Sequence, residues 1–281
     1  MDTLPELSVK EKEMLDGIAQ LVDFTTNGLM DHPINKNSLS VKQTLLLAMF
    51  APINSYTEAI FELCGKSRPD AANVILRSIV EGWINSIYVL GHPNNKTAYM
   101  FAIEDSYYRR GFAIEALCFY KRYPKQQSNI ITDEFLMDLL NKSTSELETY
   151  RVKQRISFKN KEEFKAKWGT LLSRAQWVDA RLRKKQGDRA GGIEHTYLLA
   201  YRLLSEYAHL SMRGLEHFRV KGNNEESIIL DKNPKGIDLV LATTFTIYLH
   251  FAKRLKQYKL VNCSFSKFEK FFREKVTFAT K

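Results

Sequence analysis

Apolar residues recur along this chain three or four positions apart, the spacing of one buried helix face. Ser8 followed by Glu11 reads as a capping box, and residues 9–30 then interleave apolar and charged side chains at helical period. A second helix is predicted over 40–64, stopped by Gly65, with Pro52 expected to kink or split it. Pro69 suits the first turn of a third helix, which runs to Leu90 and closes at Gly91 and Pro93. A fourth spans about 95–123 and ends at Pro124, and a fifth starts near Thr132 and continues past Tyr150. Residues 157–167 are Lys-rich and carry a weaker pattern, whereas 173–185 reads as helix. Gly187, Gly191 and Gly192 mark a loop able to move. Helices are then expected over 193–214, 235–258 and 266–275, the last with its own capping box, Ser266 with Glu269. Residues 217–220 and 227–230 flank Asn223 and Asn224 and fit one small β-hairpin.

The fold class that follows is all-α: a multi-helix bundle of long antiparallel helices with short loops. Apart from the possible hairpin at 217–230 there is no strand run, so a parallel sheet is excluded, and no fixed-period repeat supports a solenoid. Residues 1–281 are expected to form a single helical domain carrying a basic subregion at 151–190 that is free to move.

Charge sharpens this picture. The net charge is +10, yet residues 151–190 hold 13 Lys/Arg against 4 Asp/Glu, and residues 251–281 hold 9 against 2. Two basic segments on a mildly acidic body suggest a surface facing a polyanion, with solvated helix faces as the plain alternative. Arg181, Arg183, Lys184 and Lys185 are the candidate RNA contacts in the first segment. Cys64, Cys118 and Cys263 lie far apart with no CxxC pair, which excludes a cysteine zinc site and a disulfide framework. The N-terminus lacks a basic region followed by an apolar core, and apolar runs such as 45–53 fall short of the ~20 residues needed to cross a bilayer. A cytoplasmic protein without a membrane partner is expected.

The densest candidate chemistry is YRLLSEYAHLSMR, residues 201–213. Helical spacing puts Tyr201, Ser205 and His209 on one side of a helix. Arg202 precedes His209 by seven residues, a rotation of about 700°, so the two share a face about 10 Å apart along the axis. Helical side chains lean toward the N-terminus, so Arg202 leans away from His209 and Arg213 leans toward it. His209 suits proton transfer near neutral pH, and either arginine supplies a forked charge for a phosphate in its transition state. Ser205 can bond the imidazole or donate to a phosphate. The plain alternative is a Ser205–His209 pair satisfied inside a helix interface.

Arg77 and Glu81 lie on a helix that is otherwise apolar nearly all round, and Asn73, Arg77, Glu81 and Asn85 form its only polar stripe. A charged pair there must be compensated. It can orient His209 or Ser205 from a neighbouring helix, line a ligand cleft, or form a narrow solvated stripe. Basic and aromatic residues also alternate in YYRRGF (107–112, with Arg109 and Arg110) and FYKRYPK (119–125). Such runs can stack bases and grip phosphates, although aromatics at this spacing more often serve a core. His195 lacks an HExxH pattern; His32 and His92 precede proline; His217 and His250 have no ligand cluster. No metal or other cofactor is expected, and no GxSxG elbow is present.

The Arg-x-x-x-Glu helix (Arg77, Glu81) followed by Tyr-x-x-x-Ser-x-x-x-His (Tyr201, Ser205, His209) resembles a widespread bacterial helical family of unknown function, over roughly residues 40–220. More distantly, Arg202 followed by His209 resembles the HEPN superfamily, although Leu203 stands where a polar residue commonly follows the arginine. That resemblance implies a metal-independent ribonuclease or toxin-like effector of a bacterial antiphage or toxin–antitoxin system. His209, Arg202, Arg213 and Ser205 would be catalytic and Arg77, Glu81 and Tyr201 supporting. It also implies RNA, a homodimer partner, and an antitoxin or other defence protein as partners. The alternative is a non-catalytic helical module that binds a partner protein or a small anionic ligand.

Overall fold

A computed structural model describes residues 7–32, 34, 38–126, 131–154, 161–187, 192–202, 219–221, 226–228 and 236–276. Its elements are α1 (Val9–Met30), α2 (Val41–Gly65), α3 (Pro69–Gly91), α4 (Lys96–Arg122), α5 (Asp133–Gln154), α6 (Lys161–Trp168), α7 (Leu171–Gln186) and α8 (Ile193–Thr196). A π-helical turn (Tyr197–Arg202) continues α8. There follow β1 (Arg219–Lys221), β2 (Glu226–Ile228), α9 (Ile237–Gln257) and α10 (Ser266–Phe271), the last continued by a π-helical turn (Phe272–Val276). The protein is an all-α bundle. Among the described residues the one β feature is a short antiparallel ladder inside 217–230 that pairs Arg219 with Ile228.

Local sequence sets most helix ends. Ser8 accepts from the Glu11 amide, and the Glu11 carboxylate accepts from the Ser8 amide, so the α1 capping box is closed. Ser40 and Gln43 close a second box on α2. Gln43 also donates to the Tyr258 carbonyl at 2.9 Å, which links the start of α2 to the end of α9. Pro52 lies inside α2, and the helix runs through it unsplit. The third predicted box does not form. Phe265 is the N-cap of α10, and the Ser266 hydroxyl meets Ser264 at 3.2 Å. The Glu269 carboxylate instead pairs with Lys253 of α9, because that ammonium lies within reach.

The chain condenses into two units: 1–88 with 171–281, and 89–170. The basic segment 151–190 is divided between them. In the first unit α9 is the central helix, packing on α1 and α2. Its buried face carries Val240, Leu241, Phe245, Tyr248, Phe251 and Leu255, against Met14, Ile18 and Leu21 of α1 and Leu46 and Ile60 of α2. Tyr248 is buried, so its hydroxyl needs a partner and donates to Asn54 Oδ1. Gly17 lets α1 approach the ring of Phe271, which would stand only 2.7 Å from an added Cβ. In the second unit α4 and α5 pack as a helical pair.

Helix α3 meets the length and composition of a membrane span, which the apolar runs of the sequence alone did not suggest, and 56% of its most apolar window is buried in this fold. Leu76, Ile79, Val80 and Ile84 are its inward positions.

Phe245 has no exposed surface and packs against the Phe271 ring at 5.1 Å between centroids. Phe245→Ala is expected to lower unfolding free energy by about 3–5 kcal/mol. The urea midpoint should fall accordingly, with the slope of the transition unchanged.

Candidate functional site

The polar stripe of α3 finds its partner on the π-helical turn. Arg77 Nη2 donates to the Tyr201 hydroxyl at 3.0 Å, and that hydroxyl donates to Glu81 Oε2 at 3.4 Å. The Arg77 guanidinium carbon also lies 4.8 Å from the Tyr201 ring centroid, a cation–π contact. One phenol therefore serves both charged groups of an otherwise apolar helix. All three side chains are half-buried, where such bonds are less screened than on open surface. Asn85, the next member of the stripe, is 4% exposed, and its Oδ1 has no hydrogen-bond partner.

Both ends of the 192–202 segment are anchored. Gly192 takes φ +100°, a left-handed conformation that favours glycine, and turns the chain into α8. The buried Asp179 of α7 then accepts from the backbone amides of Ile193 and Glu194, each at 2.9 Å. A carboxylate at a helix start satisfies otherwise orphaned amides and complements the helix dipole. At the other end the chain leaves α geometry for the wider π turn, a form often found at functional sites. Tyr197 and Tyr201 stack there, centroids 5.2 Å apart and planes at 19°.

Of the predicted catalytic set, Ser205, His209 and Arg213 lie outside the described residues, as does the side chain of Arg202, whose backbone ends the π turn. The supporting set, Arg77, Glu81 and Tyr201, is brought together. Arg109 is committed within the second unit. Its Nε donates to Asp105 at 2.7 Å, and its Nη2 donates to Glu146 and to Ser106. Burial opposes its charge, but the bonds to Glu146 and Asp105 outweigh that and raise its pKa. Arg110 is half-buried, with a buried Nε that has no partner. Among the aromatics of those two runs, Tyr108, Phe112, Phe119 and Tyr123 are exposed rather than in the core.

On α7, Arg181 lies 5.4 Å from the Trp177 ring centroid, and Arg183, Lys184 and Lys185 are exposed in the last turn, where cations suit the helix dipole. Among the described residues no three His, Cys, Asp or Glu side chains converge as a metal site. Burial, and then the charge of Glu11, push the Cys64 thiol up to about 12, so it is a packed, unreactive thiol. The shared role of Tyr201 could not be read from spacing, because its partners lie more than a hundred positions earlier in the chain.

The family description that matches this chain, over residues 43–227, reads "Family of unknown function (DUF5677)". No curated protein and no solved structure matches it.

Burial, and then the charge of Glu81, raise the Tyr201 pKa above its ordinary value of 10.0, while Arg77 opposes the shift. A folded value above the unfolded one means the contribution to stability is fully present below pH about 10. It is lost as pH climbs through the higher native value. Tyr201→Phe should lower unfolding free energy by about 1–3 kcal/mol, since it strips a partner from both Arg77 and Glu81. The deficit should shrink above pH about 10, read from urea midpoints across an alkaline series.

Proposed function

The chain belongs to the DUF5677 family of unknown function, and from its polar cluster we propose that it is a HEPN-like, metal-independent ribonuclease acting as an effector in bacterial defence. The observation that carries this reading is the bridging of Arg77 and Glu81 by Tyr201, four residues before Ser205 and eight before His209. The helical turn that leads into the candidate acid/base is thereby tied at a fixed place on α3. In the proposed reaction the 2′-oxygen of RNA attacks the adjacent phosphorus and the bond to the 5′-oxygen breaks, leaving a 2′,3′-cyclic phosphate and a 5′-hydroxyl. His209 takes the 2′ proton or returns one to the leaving oxygen, and Arg202 or Arg213 balances the phosphorane charge. Arg77, Glu81 and Tyr201 are positioning residues.

One observation favours a second reading. Arg77 and Glu81 are already served by Tyr201, as expected of internal glue in a non-catalytic module that binds a partner protein or a small anionic ligand. The two readings part on one measurement. With EDTA present, purified protein is expected to cut RNA, and His209→Ala to lose at least about 100-fold of that rate with its circular dichroism melt unchanged. Equal rates for wild type and variant, or no cleavage by wild type across structured and single-stranded RNAs, would overturn the nuclease reading in favour of the module.

A further inference from the structure

Single apolar side chains on a protein surface are ordinary, but four aligned aromatics are not. Tyr108, Phe112, Phe119 and Tyr123 of α4 are each 44–64% exposed. They stand at i, i+4, i+11 and i+15, so a step of about 100° per residue places all four within an arc of about 60°, over roughly 22 Å of helix. Ile103, Ser106 and Ala113, the buried positions of this stretch, fall on the other side of α4. Phe119 and Tyr123 touch, with centroids 5.1 Å apart, and the Lys161 ammonium lies 5.8 Å from the Tyr108 ring centroid. Neither contact covers the stripe, since Tyr108 remains the most exposed of the four.

Gly111 adds an independent observation. It lies inside α4, seven residues before the exposed Cys118, and these two small residues border the stripe on one side. Glycine inside a helix lowers its stability relative to alanine, so its presence calls for a close neighbour. Gly17, Gly28 and Gly82, also inside helices, have one. An added Cβ there would stand 2.7, 3.2 and 3.3 Å from the side chains of Phe271, Cys263 and Ile53. At Gly111 an added Cβ would meet nothing within 4 Å. The chain itself gives no reason for the missing side chain, whereas a second helix seated against α4 does. Large side chains beside a groove of small ones are what the packing of two helices, ridge into groove, requires.

A helix that offers both ridge and groove is complementary to itself, as a two-fold contact demands. Charge sets the direction. Between residues 105 and 123 the exposed charged side chains follow the order Asp105, Glu115, Lys121, Arg122. Two copies side by side in parallel would set like charges together. Antiparallel copies set the acidic part of each beside the basic end of the other. We propose that α4 of one molecule packs antiparallel on α4 of a second copy, with Tyr108, Phe112, Phe119 and Tyr123 as the ridge and Gly111 and Cys118 in the groove. The sequence resemblance implies two copies without a surface between them, and the stripe supplies one. It belongs to the second unit, whereas Arg77, Glu81 and Tyr201 belong to the first, so the pairing does not depend on the ribonuclease reading. Four half-exposed aromatics of about 150–250 Å² each offer roughly 300–500 Å² per copy, against ~800 Å² per partner in a standard interface. The pairing is therefore of the weak class, in the micromolar range.

The test is sedimentation of the full-length protein over about 1–200 μM, the span in which a weak interface populates both monomer and dimer. Wild type is expected to pass from monomer to dimer. Phe112→Gln with Phe119→Gln should weaken the dimer at least about tenfold. Leu239→Gln, at an exposed apolar position of α9, should leave it unchanged. Gly111→Leu fills space that is open within the chain, so its melting temperature should not fall, yet its dimer should weaken as much. That variant keeps the surface open to refutation should the double glutamine variant unfold. Lys121→Glu with Arg122→Glu makes every exposed charge of the stripe acidic and should also weaken an antiparallel pair. A parallel pair would only exchange one like-charge contact for another and would not respond. A wild type that stays monomeric throughout, or a dimer that survives both the Phe112/Phe119 and Gly111 changes, overturns the proposed surface. A dimer lost in those variants but indifferent to the charge reversal overturns the antiparallel arrangement. RNA cleavage by wild type is read separately, so failure here leaves the ribonuclease reading standing or falling on its own test.

Discussion

Two ionisable groups on an apolar helix constrain much of what surrounds them. Arg77 and Glu81 sit on α3 among Leu76, Ile79, Val80 and Ile84, which are all buried. Withdrawing a charge from water costs several kcal/mol unless hydrogen bonds replace the lost hydration. Tyr201 supplies bonds to both groups from a segment far away in the chain, and its ring adds a face for the guanidinium. The same contact fixes where the 192–202 segment lies on α3. Asp179 fixes the other end of that segment through two backbone amides. A short, partly π-helical stretch is thus held by polar contacts at both ends, and in the sequence it comes just before Ser205 and His209.

The arrangement of charge follows a related logic. In the second unit Arg109 of α4 lies beside Asp105 of α4 and Glu146 of α5. These pairs stitch the two helices together. The single acid of α7, Asp179, is spent on two backbone amides, and Glu194 of α8 accepts from Gln176. A basic composition alone does not distinguish these cases. The count over 151–190 includes side chains of both units.

The expected membership of a helical family without an assigned activity is borne out by a family match over residues 43–227. Helix boundaries were legible wherever a local rule decided them: Ser8 with Glu11, Ser40, Pro69, Gly91 and Gly65. The prediction failed at Ser266, where Glu269 had a better partner in Lys253 than the backbone amide. The exposure of Tyr108, Phe112, Phe119 and Tyr123 ran against the usual fate of aromatics.

The sequence by itself determined the all-α class, the order and most of the ends of the helices, and the residue types available for chemistry. Those properties depend on side-chain period and on capping groups within a few residues of each other. Only the tertiary structure decided that Tyr201 bridges Arg77 and Glu81, that Asp179 caps α8, and that Arg109 is spent on carboxylates. Each of these joins groups that belong to different helices, and the free energy of burying or pairing a charge is set by whatever packing brings alongside it.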